Sequence, residues 1–234
     1  MTTNDPTTRW GELLALLLHD FRTPLASIML NLEMLQQDAD RLSPEQREDI
    51  EYAFQSAVEL KQMMEVSHDL AHLVSGGRSG ELRTENLTSL LKASMPGTGE
   101  EGHAEIWVEA PKLVTVRCNP ELTRRVLHLL LKAARDVTPP GDRVNARISG
   151  SGDRARVEIA DGGRSIPGEW REKVFDVDGM LELRKANNSL ARGMGPVLCS
   201  LGMESQGGAA GLDSDPDMPE GKGNVFWIEL PLAE

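Results

Sequence analysis

Leu14-Ala15-Leu16-Leu17-Leu18-His19-Asp20-Phe21-Arg22-Thr23-Pro24-Leu25-Ala26-Ser27-Ile28 sets the fold of the first part of this chain. Leu14, Leu18, Phe21, Leu25, Ile28, Leu32, Leu35 and Ala39 follow one another at 4-3-4-3-4-3-4 spacing. That is a heptad seam, the pattern of a helix packing lengthwise against other helices. His19 falls one residue past a seam position, beside the apolar stripe and not in it. Thr23 is one turn further along on the same face, and Asp20 flanks that face. Pro24 lacks a backbone N–H and should bend the helix just past this point. A lone histidine on a bundle helix is usually a solvated surface residue. Here an imidazole, a carboxylate, a hydroxyl and a helix-disturbing proline sit together, and local rules break at one point in this way at functional sites.

Outward from that stretch, the helix is expected over residues 8–40. Ser43-Pro44-Glu45-Gln46 then reads as a helix start, with Ser43 capping, Pro44 in the first turn and Gln46 completing a capping box. Ile50, Ala53, Ala57, Leu60, Met64, Ala71 and Val74 continue a second heptad series, interrupted by Ser67. Two long helices on a short turn make an antiparallel hairpin. A hairpin alone buries little surface, so a homodimeric four-helix bundle is the expected solution. Met29, Met34, Met63 and Met64 read as core filling.

The glycine-rich run 75–80 has linker composition. Beyond it the pattern changes. A short helix is expected over Leu87–Ala93, strands over Glu105–Glu109 and Val114–Arg117, and a helix capped by Asn119 running to Val137. Val144–Ile148 and Ala155–Ala160 read as a hairpin over 149–153, followed by a helix over Met194–Gln206 and a last strand over Asn224–Leu230. The fold class is therefore α+β: a helical hairpin (8–76), then an α/β sandwich (81–234).

Composition bounds the rest. The chain has 234 residues, 39% hydrophobic and 26% charged, as in ordinary soluble proteins. A net charge of −12 argues against nucleic acid as the main ligand. No uninterrupted apolar run approaches the ~18 residues of a bilayer span, and Met1–Trp10 lacks a secretory apolar core. Two cysteines, Cys118 and Cys199, imply no disulfide framework and fit a reducing cytoplasm.

His19-Asp20-Phe21-Arg22-Thr23-Pro24-Leu25 resembles the H-box of two-component sensor histidine kinases, and the resemblance extends over residues 8–232. It implies a dimerisation and histidine-phosphotransfer hairpin followed by a Bergerat-type ATP-binding domain. The residue matching His19 accepts the phosphoryl group, that matching Asp20 assists proton removal, and that matching Thr23 positions the water that dephosphorylates a response regulator. These roles agree with the general chemistry of imidazole, carboxylate and hydroxyl groups. The helix after Asn119 resembles the N-box helix, whose two asparagines four residues apart face the triphosphate and magnesium. His128 and Lys132 stand at the matching positions, with Arg135 following. An ammonium group cannot ligate Mg²⁺, which takes oxygen ligands, and Lys132 would repel it. Asp161-Gly162-Gly163-Arg164-Ser165-Ile166-Pro167 resembles the G1 box, with Asp161 as the acceptor for the adenine amino group, Gly163 kept and Ser165 in place of the second glycine. Phe175 matches the F-box phenylalanine. Ala191-Arg192-Gly193-Met194-Gly195-Pro196 resembles the G2 box, with Gly193 and Gly195 kept for close approach to phosphate. Gly221-Lys222-Gly223-Asn224-Val225-Phe226 matches the closing strand.

Three functions follow. One is a phosphotransfer protein exchanging phosphate between His19 and a receiver-domain aspartate. The second is a divergent ATP-dependent autokinase with Lys132 in place of the metal ligand. The third is a non-catalytic dimeric scaffold. Only about ten residues precede the hairpin and no receiver domain lies in the chain, so both signal and phosphate partner are expected on other proteins: a response-regulator receiver, docking near Arg22 and Met29, and a separate sensor or kinase.

Overall fold

In a computed structural model of the chain, residues 6–38, 41–75, 80–97, 103–185, 194–219 and 221–233 are described. The chain forms two compact units, Met1–Gly77 and Arg78–Glu234.

The first unit is a helical hairpin of α1 (Pro6–Gln37) and α2 (Pro44–Val74). The α2 start is built as its residues dictate. The Ser43 side chain accepts from the Gln46 N–H, and the Gln46 side chain accepts from the Ser43 N–H. The Ser67 hydroxyl donates to the Met63 carbonyl, so α2 continues through the break in its apolar pattern.

Each heptad series divides in two. Leu18, Leu25 and Leu32, seven apart on α1, turn inward toward Ile50, Ala57, Met64 and Ala71, seven apart on α2; Leu25, Ala57 and Ala71 are buried. The alternate set on α1 is open: Leu14 at 44%, Phe21 at 56%, Ile28 at 52% and Leu35 at 44% exposure. Leu60 and Val74 of α2 are likewise half exposed. One hairpin therefore satisfies only half of its own pattern. Two of the four methionines expected in the core, Met34 and Met63, are exposed, because they lie off the inward stripe. Although charged residues interrupt it at Asp20, Arg22 and Glu33, Leu13–Gln37 is long and apolar enough to cross a membrane by length and composition only, a test that the core helix of a soluble protein also passes.

The second unit packs helices on a five-stranded sheet in the order β2-β4-β5-β7-β6, with a two-stranded β1-β3 ribbon beside it. The strands are β1 (Arg83–Asn86), β2 (Glu105–Glu109), β3 (Thr115–Cys118), β4 (Arg143–Ser151), β5 (Arg154–Arg164), β6 (Ala209–Ser214) and β7 (Lys222–Pro231). The helices are α3 (Leu87–Ala93), α4 (Pro120–Val137), α5 (Gly168–Arg171), α6 (Val177–Lys185) and α7 (Gly195–Glu204). β2 and β4 are parallel; the other sheet neighbours are antiparallel. Period-two burial along β5 places Ala155, Val157, Ile159 and Asp161 on one face. Val126, Leu127, Leu130 and Leu131 of α4, Val197 and Leu198 of α7, and Met180 and Leu183 of α6 complete the core.

The β4–β5 hairpin is tighter than expected. Ser149, Gly150 and Ser151 pair with Arg156, Ala155 and Arg154, leaving Gly152-Asp153 as the connection. Gly152 supplies the positive φ of 61° that so short a turn demands. β5 also runs on through the Asp161–Arg164 stretch, with a register irregularity between those two residues. The ladder is broken there, and the side chains around it are re-aimed.

Candidate functional site

His19 and Asp20 stand on the open face of α1, with side chains 72% and 78% exposed. The His19 Nδ1 lies 3.6 Å from the Asp20 Oδ1. That exceeds a hydrogen-bond distance, and with the carboxylate beside Nδ1 the other ring nitrogen, Nε2, lies on the far side of the imidazole. Thr23 is exposed one turn on, and its carbonyl accepts from the Ser27 hydroxyl at 3.2 Å. The helix runs through Pro24, which has no N–H to offer the Asp20 carbonyl. Leu25, buried on the inward stripe, fixes the rotation of α1 and so keeps His19, Asp20 and Thr23 outside.

In the second unit, Asn119 caps α4 through its side-chain oxygen, which accepts from the Leu122 N–H, and this sets the rotation of the helix. His128, Lys132 and Arg135 share one face of α4, and each is engaged. The His128 Nδ1 donates to the Ser94 carbonyl at 3.1 Å, and the Arg135 Nη1 donates to the Gly97 carbonyl at 2.8 Å. Both thereby grip the segment after α3. The Lys132 Nζ pairs with the Asp136 carboxylate at 2.8 Å. The ammonium of Lys132, at the position that the resemblance matches to an N-box asparagine, cannot itself ligate a metal ion, and among the described residues no group of three or more His, Cys, Asp or Glu side chains is arranged to hold one.

Asp161 is 3% exposed. Its Oδ1 accepts from the Gly163 N–H at 2.8 Å and from the Asn224 Nδ2 at 3.0 Å. Burial pushes its carboxyl above the ordinary carboxylate range. The hydrogen bonds from Asn224 and Gly163 oppose that shift, and the nearby Asp215 charge adds to it. An open cavity of about 340 Å³ reaches Asp161 and is lined also by Asp142, Arg143, Asn145 and Asp215. Gly163 is bare for a packing reason: a Cβ there would lie 2.8 Å from the Val137 Cγ2. Its N–H serves the Asp161 carboxylate.

Phe175 packs against Phe226 of β7 with ring centroids 6.4 Å apart, anchoring the turn before α6. Gly195 opens α7, with nothing within 4 Å of where a Cβ would stand. Gly193 lies outside the described residues. Sequence reasoning passed over Asn224, taken only as part of a closing strand. The signal was there: a polar residue at the head of the run Val225-Phe226-Trp227-Ile228 has to find partners when the strand is buried.

The raised Asp161 pKa yields a stability prediction. The folded state binds this proton more tightly than the unfolded chain, so folding loses stability as pH rises from the ordinary carboxylate range through the raised value. Asp161→Asn removes that penalty. In thermal melts, the variant should melt above the natural protein at pH 7, with the gap closing toward pH 4. A gap that is absent at pH 7, or that widens in acid, would contradict this.

Comparison with known proteins fits this geometry. Residues 9–76 match the His Kinase A (phospho-acceptor) domain, and residues 118–234, half of the chain, match the histidine kinase-, DNA gyrase B- and HSP90-like ATPase family. Sensor protein IrlS of Burkholderia pseudomallei is 26% identical over 218 residues, covering 92% of this chain and 46% of IrlS. Sensor histidine kinase AruS of Pseudomonas aeruginosa is 30% identical over 240 residues, covering 95% of this chain and 23% of AruS. The chain thus spans less than half the length of these relatives. In fold, it is similar to full-length ShkA in complex with AMPPNP (TM-score 0.65, 24% identity, 95% of this chain and 46% of that one). It is similar also to histidine kinase AdeS of Acinetobacter baumannii (TM-score 0.59, 15% identity, 92% of this chain and 98% of that one).

Proposed function

The chain belongs to the two-component sensor histidine kinases, and from that premise we propose that it is a dimeric phosphotransfer protein carrying phosphate on His19. The observation behind this is the contrast between its two units. The H-box presents imidazole, carboxylate and hydroxyl together on an exposed helix face. The face matching the metal site presents a lysine already paired with Asp136.

The exchange balances as follows. The His19 Nε2 lone pair attacks the phosphorus of a receiver-domain acyl phosphate, the P–O bond breaks, and the aspartate leaves as carboxylate. The Nδ1 proton stays on the ring, stabilised by Asp20 as positive charge develops. The reverse step returns phosphate to the regulator. In dephosphorylation, Thr23 orients a water toward the acyl phosphate. The receiver docks on α1 around Arg22 and Met29. The buried free thiols Cys118 and Cys199 fit a reducing, cytoplasmic setting.

A divergent autokinase is the second reading, favoured by the buried Asp161 and the cavity beside it. Asp161 then holds the adenine of ATP, and Lys132 supplies positive charge near the phosphates without metal.

The test is label transfer from a receiver domain charged with radiolabelled phosphate. Acid-labile, alkali-stable label should move to this chain within minutes. If no label moves in either direction between chain and receiver, the phosphotransfer function is wrong. Label taken directly from ATP, without receiver, selects the autokinase.

A further inference from the structure

The helical hairpin has a gap in its packing beside His19. The Gln36 Nε2 donates to the Glu51 Oε2 at 2.7 Å near the turn, and at the far end a Cβ on Gly11 would collide with the Ser75 hydroxyl. These two ties fix the register of α1 against α2 and put Lys61 level with Ala26. Lys61 continues the inward flank of α2, four residues after Ala57 and three before Met64, where an apolar side chain would fill the layer. Its ammonium leaves for water instead, and the residue is exposed. Ala26, across from it, is too small to take up the space. A cleft of about 150 Å³ results, walled by Leu18, Leu25, Met29 and Met64.

The cleft and the open stripe of α1 lie on opposite sides of the inward line. Phe21 and Ile28 come three residues after Leu18 and Leu25, whereas Arg22 and Met29 come four after them. A second copy packed on the open stripe therefore leaves the cleft accessible. Arg22 and Ala26 follow His19 at three and seven residues, which places the cleft on the His19 side of the helix.

The mouth of the cleft is charged. Arg22 and Lys61 both line it, and among the described residues neither has a carboxylate within ion-pair distance. Glu65, the third charge there, is already engaged. An apolar cavity of about this volume takes up a molecule the size of benzene. Two cations at its mouth call for an anion, and a guanidinium meets a carboxylate in one plane through two hydrogen bonds. Glu65 disfavours a head with two negative charges, such as a phosphate monoester.

We propose that this cleft is a binding site for a small monocarboxylate with an apolar body, the body between Leu25 and Met64 and the carboxylate between Arg22 and Lys61. Taking the receiver to dock around Arg22 and Met29, as proposed above, an occupied cleft shuts the receiver out. The site is then an inhibitory input to phosphotransfer that leaves His19 itself untouched.

Phenylacetate is the probe, and the full chain labelled at its methionine methyl groups reports binding by NMR. Met29 and Met64 line the cleft, whereas Met34 and Met63 are exposed outside it. Phenylacetate should shift the Met29 and Met64 signals saturably, with a dissociation constant of about 0.1 mM, the scale for a ligand of about ten non-hydrogen atoms. Met34 and Met63 should stay in place. Acetate, the head without the body, should shift nothing, and uncharged phenylacetamide should bind about tenfold more weakly, the scale of losing a hydrogen bond to a charged group. Arg22→Met/Lys61→Met removes both charges and should bring the two aromatic ligands to equal affinity. Ala26→Leu fills the cleft and should abolish the shifts while the far-ultraviolet circular dichroism stays that of the natural chain. At ten times its dissociation constant and with the receiver below saturation, phenylacetate should slow label transfer from a charged receiver about tenfold, as simple competition requires. Transfer to Ala26→Leu should be insensitive to it. No movement at millimolar phenylacetate, or all four methionine signals moving together, overturns the site. Equal affinity of the natural chain for phenylacetate and phenylacetamide overturns the charged mouth. Saturable binding with transfer unslowed overturns the inhibitory role. A chain that exchanges no label at all fails the phosphotransfer function, while the methyl shifts decide the cleft by themselves.

Discussion

His19→Ala is expected to abolish acid-labile phosphorylation of the chain completely, whether the label comes from a charged receiver or from ATP. The chain has five histidines, and the structure separates them. His128 is turned into the unit, donating to the Ser94 carbonyl. His68 is the informative control. Its Nδ1 lies 3.7 Å from the Asp69 Oδ1, nearly the His19–Asp20 distance, yet its side chain is only 39% exposed and Asp69 only 19%. It also has Ala71 and His72 where His19 has Arg22 and Thr23. A His-Asp neighbour pair is therefore not enough. What distinguishes His19 is an open face, a hydroxyl one turn on, and a proline that takes the hydrogen bond away from the Asp20 carbonyl. His68→Ala should keep full labelling. Asp20→Asn should slow transfer by about a hundredfold, the usual scale for losing a positioned proton partner. Label that survives His19→Ala and vanishes in His68→Ala would move the site to α2 and refute the assignment.

The sequence carried much of this, unevenly. The capping box at Ser43 and the Asn119 cap were legible because capping is local: a side-chain oxygen satisfies an N–H two or three residues away, and the spacing shows it. The heptads were legible as a period but not as a partition. A 4-3 spacing says that residues share a stripe. Which half meets the chain's own second helix depends on how α1 and α2 rotate against each other. β1 and β6 escaped notice because neither looks like a strand. Arg83–Asn86 is wholly polar, and Ala209-Ala210-Gly211-Leu212 lacks β-branched and aromatic residues. β6 exists because β7 offers it an edge, and Gly211 is bare because the Trp227 ring covers it. At the candidate nucleotide site, Asp161 was legible by its neighbours in sequence. The Asn224 contact spans 63 residues and no local rule exposes it. The engagement of His128 and Arg135 with the segment after α3 is hidden for the same reason.

The partition of the heptads carries the second large expectation. Leu14, Phe21, Ile28 and Leu35 recur every seven residues along α1, and Leu60 and Val74 continue the stripe on α2. A continuous apolar stripe at heptad spacing suits a second copy of the same hairpin, because a two-fold partner presents the same stripe in return. Each large apolar side chain that goes from exposed to buried contributes about 1.5–3 kcal/mol. Four such residues from each α1 are ample for a stable dimer. Placing a carboxylate in such a seam costs several kcal/mol unless it is paired. The double variant Phe21→Glu/Ile28→Glu puts four carboxylates into one dimer seam. Its dissociation constant should rise by about a thousandfold or more, since each 1.4 kcal/mol is tenfold. Light scattering after gel filtration at micromolar concentration should give a dimer for the natural chain and a monomer for the variant. The C-terminal unit has its own core and should melt unchanged, which separates lost association from lost folding. Leu25→Ala tests the other half of the partition. It opens a cavity on the buried stripe within each hairpin and should lower the melting temperature of the hairpin. A double variant that stays dimeric would mean that the open stripe of Leu14, Phe21, Ile28 and Leu35 is not where two copies meet.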